Sequence, residues 1–144
     1  MEIFSRKVKE KLEKFAESFD SKNWNSMEQC LADFISIDYS SFRNKPKCNI
    51  SKHEYILEKK IGIGHLNTKH NFFDYQIIPC QLKAKCKCKF EIKRLEESSG
   101  KYFHTKGTYI FTLIYFKNKW RIDSIIQIVK EQIGDREIHG LLSS

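Results

Sequence analysis

From Gln81 to Lys93 the chain alternates without a break. Leu82, Ala84, Cys86, Cys88, Phe90 and Ile92 fall on one parity, and Lys83, Lys85, Lys87, Lys89, Glu91 and Lys93 on the other. Successive side chains of a strand point to opposite faces, so this segment buries one face and keeps a charged row in water. At helical spacing the same lysines would scatter around the whole circumference. The pattern therefore calls for a half-buried antiparallel strand in a sheet with one wet face. The lysine row serves solubility and discourages aggregation; use of the row to bind an acidic partner is the less common alternative.

Neighbouring segments extend the sheet. Strand signal begins at Asn67, Glu96-Glu97-Ser98-Ser99-Gly100 reads as a hairpin loop, and Tyr102 to Phe116 reads as a second long strand. Asn118 then turns the chain into Trp120 to Val129. The strand from Tyr102 is apolar on both faces, with Ile110, Ile114 and Phe116 opposite Tyr109, Phe111 and Leu113. One face fills the core and the other wants an oligomer partner.

Upstream the period changes. Ile3, Val8, Leu12, Phe15, Ala16 and Phe19 recur every three to four residues with charges between them, which predicts a helix ending at Asp20-Ser21-Lys22-Asn23. Ser21 or Asn23 caps a second short helix, Trp24 to Leu31. Phe34 to Tyr39 reads as a short strand, followed by a loop with Asn44, Pro46 and Asn49. Ser51 caps a third helix with Glu54 at the capping-box position, and Gly62 and Gly64 end it. The expected architecture is α+β: helices gathered on one face of a strongly curved, mostly antiparallel sheet, closing a cone-shaped cavity. Residues 1–144 are expected to form one domain.

Composition excludes several classes. A hydrophobic content of 40% with 11 Phe and 6 Tyr argues against disorder. No apolar run is long enough to cross a membrane, and the opening MEIFSRKVKEKLEKF lacks the apolar core of a signal peptide, so a cytoplasmic protein is expected. The net charge of +8 invites a nucleic-acid partner, but the lysines are spread and no nucleic-acid motif accompanies them. Cys30, Cys48, Cys80, Cys86 and Cys88 form no disulfide framework and lack further ligands at zinc spacing, so they read as small buried hydrophobes.

The stretches FAESFDSKNW, LADFISIDYSSF, TKH, TKG and KNKWRI carry a resemblance. Together with the order of elements they resemble the nuclear transport factor 2-like superfamily, its SnoaL-like members, and scytalone dehydratase-type proteins in particular. The likeness runs from about Leu12 to Ile128. It implies a cone-shaped α+β barrel and a histidine, oriented by a buried aspartate, that acts as base and acid in removing water from a hydroxy-carbonyl compound. The aspartate falls on Asp20 and the histidine on His70. Of two tyrosines that hold a water against the substrate carbonyl, one falls on Tyr39 and the other on Phe19. A second pocket histidine falls on Ile92, and a serine and an asparagine fall on Phe111 and Leu113. The resemblance thus implies a base and its orienter in a more apolar pocket, with no metal or organic cofactor, and a homo-oligomer, a dimer or trimer formed through the outer sheet face.

On the residues alone, Asp20 also reads as a helix-end turn residue, His70 as a satisfied polar side chain, and Tyr39 as an amphipathic core tyrosine. Trp24, Phe42, Phe72, Phe90, Phe111 and Leu113, with Phe19 and Ile92, are candidates to line the pocket, though such residues are more often plain core. If His70 faces the cavity, Phe72 and Asp74 share its face. His53, His65, His104 and His139 are incidental by position. The resemblance further implies that the tail from Ile133 to Leu142 folds over the cavity mouth as a lid. Two functions follow: a lyase or isomerase acting on a small apolar carbonyl compound, or a non-catalytic module for a small ligand or a protein partner.

Overall fold

The computed structural model describes residues 2–41 and 47–134. Three helices, α1 (Glu2–Ser21), α2 (Trp24–Cys30) and α3 (Lys52–Ile63), pack with six strands: β1 (Leu31–Asp38), β2 (Cys48–Ser51), β3 (Asn67–Cys80), β4 (Lys83–Glu96), β5 (Lys101–Phe116) and β6 (Lys119–Gly134). The strands form one curved, unclosed sheet in the order β2-β1-β6-β5-β4-β3. All neighbours are antiparallel except β1 and β6, which run parallel. The α+β architecture expected from the sequence is the one observed.

The alternation in β4 works as read. Ala84, Cys86, Cys88, Phe90 and Ile92 are buried, and Lys83, Lys85, Lys87 and Lys89 are exposed. Leu82 departs from the pattern: it sits in the turn before β4 and is exposed, because the strand begins one residue later. Phe15 and Phe19 from α1 enter the concave face and meet the aromatic layer of the long strands, with Phe15 edge-on to Phe111 at 6.1 Å.

Local signals account for the helix ends. Asn23 caps α2 by accepting from the Ser26 amide at 3.1 Å, and Ser51 caps α3 by accepting from the Glu54 amide at 3.1 Å. Helix α3 runs on through Gly62, which is buried within it, and Gly64 alone marks its end. Three further expectations need correction. Cys48–Ser51, expected in a loop, is edge strand β2 paired with β1. Asp74 does not share the face of His70. A bulge between Phe73 and Gln76 puts Asp74 in a left-handed conformation (φ 54°) and reverses parity, so the carboxylate faces solvent and pairs with Lys89 at 3.3 Å. Among the cysteines, Cys30, Cys86 and Cys88 are buried, but Cys80 is exposed and Cys48 half-buried, both near strand ends; all five are free thiols. Phe42, Asn44, Pro46, His139 and the tail beyond Gly134 lie outside the described residues.

Candidate active site

Asp20 sits in the last turn of α1. Lys22, in the left-handed region (φ 56°), returns its amide to the Phe19 carbonyl, and Asn23 returns its amide to Ser18. This paired 5→2 and 6→1 closure ends the helix and needs no glycine. A carboxylate in a last turn faces the negative end of the helix dipole, so local stability does not favour Asp20 there. Its tertiary contacts explain it. Asp20 Oδ1 and Oδ2 accept from the His70 amide at 3.1 and 2.9 Å, Oδ1 accepts from Thr68 Oγ1 at 3.1 Å, and Oδ1 meets His70 Nδ1 at 2.8 Å. Lys22 Nζ completes the cluster by donating to Thr68 Oγ1 at 3.2 Å and to the Phe19 carbonyl at 3.1 Å.

His70 lies near the start of β3, opposite Ile92, with Thr105 next in the same cross-strand row. Its side chain is fully buried, and Phe19 stacks on the ring. Burial pushes its pKa from 6.5 down to about 4; Asp20 pulls it back up, and the Arg94 and Lys22 cations push it further down. The imidazole is therefore neutral at pH 7. With Asp20 as acceptor, the proton sits on Nδ1 and Nε2 carries the lone pair. Nε2 is buried and makes no hydrogen bond among the described residues. This arrangement can take a proton at Nε2 and hold the resulting imidazolium against a carboxylate.

Tyr39 follows β1 and is buried, and its hydroxyl meets that of Tyr55. Lys59 Nζ lies 5.0 Å from the Tyr39 ring and 4.9 Å from that of Tyr55. The candidate lining residues divide. Phe72, Phe90 and Phe111 pack around Tyr109 with ring centroids 5.3, 4.5 and 5.0 Å away. Ile92 sits between His70 and Thr105. Leu113 is buried farther along β5, between Ala84 and Ile122, away from the dyad. Trp24 is half-buried at the start of α2. A depression of about 160 Å³ is lined by His70 with Lys69, Asn71, Glu91 and Lys93.

Several buried polar residues escape a sequence reading. Arg94 and Lys59 are 2% and 4% exposed, and Thr105, Tyr109 and Gln127 are also buried, with Gln127 Nε2 donating to Tyr109 Oη at 2.8 Å. The signal for Arg94 was present: it continues the inward parity of Ala84 to Ile92 by one more step. Lys59 stands four residues after Tyr55 and three after Ile56, on the inward stripe of α3. Among the described residues no group of three His, Cys, Asp or Glu side chains could hold a metal ion, and no helix is long and apolar enough to cross a membrane.

No family model matches the chain. Over 63 residues it is 36% identical to the scytalone dehydratase-like protein AacuK of Aspergillus aculeatus; the match takes in 41% of this chain and 36% of that protein, so it spans about a third of the relative's length. Among solved structures, the Kfla4162 protein from Kribbella flavida superposes with a TM-score of 0.88 at 16% identity, covering 97% of each chain. A type 2 hexachlorocyclohexane dehydrochlorinase superposes with a TM-score of 0.78 at 6% identity, covering 93% of this chain and 90% of the other. The protein thus has the nuclear transport factor 2-like fold and resembles the scytalone dehydratase-like proteins.

Proposed function

We propose that the protein is a cofactor-independent lyase or isomerase acting on a small, largely apolar carbonyl compound. The observation that carries this reading is the 2.8 Å contact between Asp20 Oδ1 and His70 Nδ1, which leaves a buried Nε2 with a lone pair. In the proposed step Nε2 takes a proton from the carbon beside the carbonyl, and the C–H electrons move toward the carbonyl oxygen. Asp20 steadies the imidazolium. In a lyase, the imidazolium then returns the proton to a departing hydroxyl, which leaves as water; in an isomerase, the proton returns to another carbon. Tyr39 is assigned to polarise the carbonyl, and Phe19, Phe72, Phe90, Ile92 and Phe111 to exclude water. Because the His70 side chain is fully buried, substrate entry requires part of the wall to move.

The test is water loss from a panel of β-hydroxy ketones, together with deuterium exchange beside the carbonyl in heavy water. His70→Ala or Asp20→Asn is expected to lower either rate about tenfold or more. Unchanged rates would refute the dyad role. A second reading, a non-catalytic binding module, is favoured by the apolar residues at Phe19, Ile92, Phe111 and Leu113. Ligand binding with no exchange by the wild-type protein would select it.

A homo-oligomer and a cytoplasmic location belong to the same proposal. Exposed apolar side chains beside the convex face, Phe34 at 71% and Phe116 at 55%, edge a cleft with Ala32 and Ile114 that a second copy would cover. Light scattering on the purified protein decides: a monomer at all concentrations would end this part.

A further inference from the structure

We propose that the cleft between α1 and the β5-β6 turn is a second ligand site, and that it takes a small aromatic phosphate monoester. The inference is independent of the proposed function, since the cleft shares no residue with the Asp20–His70 pair. A cavity of about 350 Å³ lies there, lined by Lys7, Lys11 and Lys14 of α1 and by Lys119 and Trp120 at the start of β6. That volume is at the small end of the range for organic ligands. Positions 7, 11 and 14 are spaced by four and three residues, so the lysines share one face of the helix. Across from them, Lys117 and Asn118 are both left-handed (φ 50° and 64°) and make the tight turn that presents Lys119. Phe4 meets Trp120 edge-on, with ring centroids 6.1 Å apart, and ties the helix to the strand.

Four lysines gather in this lining against one carboxylate, Glu10, which pairs with Arg6 at 3.8 Å. Like charges three and four residues apart on a helix repel, and an anion bound among them turns that repulsion into attraction. Lys11 is half-buried. Burial lowers its pKa, Cys30 raises it, and Lys14, Lys119 and Arg121 lower it again, so these cations act on one another. Lys14 Nζ donates to Gln29 Oε1 at 3.3 Å and has two further N–H donors. Trp120 adds an Nε1–H that is buried and has no acceptor among the described residues. The lysines and the indole only donate, which suits a ligand rich in acceptors. A phosphate monoester carries about −1.5 to −2 charges at pH 7 and three strong acceptor oxygens. Tyr115 and Trp120, with ring centroids 5.2 Å apart, give the same lining an aromatic surface for the flat organic body.

The experiment titrates the full chain with phenyl phosphate, inorganic phosphate and phenol, by calorimetry at fixed ionic strength. Phenyl phosphate is expected to bind about threefold or more tightly than inorganic phosphate and about tenfold or more tightly than phenol. Equal affinity for the two phosphates overturns the organic ligand and leaves the free anion; no binding of either overturns the site. Lys11→Met keeps the length of the stem and is expected to weaken phenyl phosphate about tenfold. Lys89→Gln, on the exposed row of β4, is expected to leave the affinity unchanged. Equal losses in the two variants trace the binding to overall charge and overturn the site. In a Trp24→Phe background Trp120 is the one remaining indole, and its emission is expected to change with the same midpoint as the calorimetric curve. Binding that leaves this emission unchanged puts the ligand elsewhere and overturns the assignment.

Discussion

Phe19 lies almost flat on His70, with ring centroids 4.6 Å apart and planes 16° from parallel. The stack covers the imidazole on one side, and Asp20, the next residue along α1, fixes its edge. One helical turn therefore supplies both the desolvation that lowers the pKa and the carboxylate that opposes it.

Removing the stack tests its share. Phe19→Ala deletes a fully buried ring and is expected to destabilise the protein by about 3–5 kcal/mol. It should also raise the His70 pKa as water reaches the ring. Urea unfolding and an NMR titration of the imidazole check both effects.

The depressed pKa gives stability a pH dependence of known sign. Folded His70 titrates near 4 and the unfolded residue near 6.5, so acidification protonates the unfolded chain first. This contribution is fully present above pH 6.5 and is lost as pH falls toward 4, by about 3 kcal/mol in all. Below both values it changes no further. Comparing the wild type with His70→Gln over this range isolates the effect, since the variant lacks that limb.

Asp20→Asn separates orientation from charge. The amide oxygen still accepts a hydrogen bond, but the carboxylate that raises the His70 pKa is gone, so the pKa should fall further. Turnover, on any substrate found, is expected to drop about tenfold or more while the far-ultraviolet circular dichroism is kept.

Gly107 gives a structural prediction. A Cβ there would lie 2.0 Å from the Ile128 carbonyl oxygen and 2.9 Å from the Phe90 ring, at the bulge where β5 and β6 shift register. Gly107→Ala is expected to destabilise by about 1–3 kcal/mol through strain in the aromatic layer, measurable by urea unfolding.

Much of this molecule is legible in the sequence where one period runs unbroken. The alternation from Ala84 to Ile92 fixes both faces of β4, and the apolar spacing from Val8 to Phe19 fixes the inward stripe of α1. Legibility stops where the period is interrupted. The bulge after Phe73 sends Asp74 outward, which no count of alternating residues anticipates. Strand β2 is short, lies at an edge and carries asparagine and serine, so turn chemistry masks it. Arg94 and Lys59 sit on inward parity, yet their charge makes them read as surface. Asp20 and His70 were identifiable as chemistry-bearing residues, but their contact spans 50 positions and exists only in the tertiary fold.

The parallel pairing of β1 with β6 sets an order of assembly. Ile37 lies beside Ile125, so β1 waits for β6, which follows it by some eighty residues, before it gains its inner neighbour. Contacts this distant in sequence close late and slow the folding reaction. The antiparallel hairpins β3-β4 and β4-β5 are local and can form earlier, leaving an aromatic concave surface with one side missing. A nascent chain at that stage holds His70 on β3 but has not finished the wall, so apolar surface that the completed sheet covers is still open to aggregation.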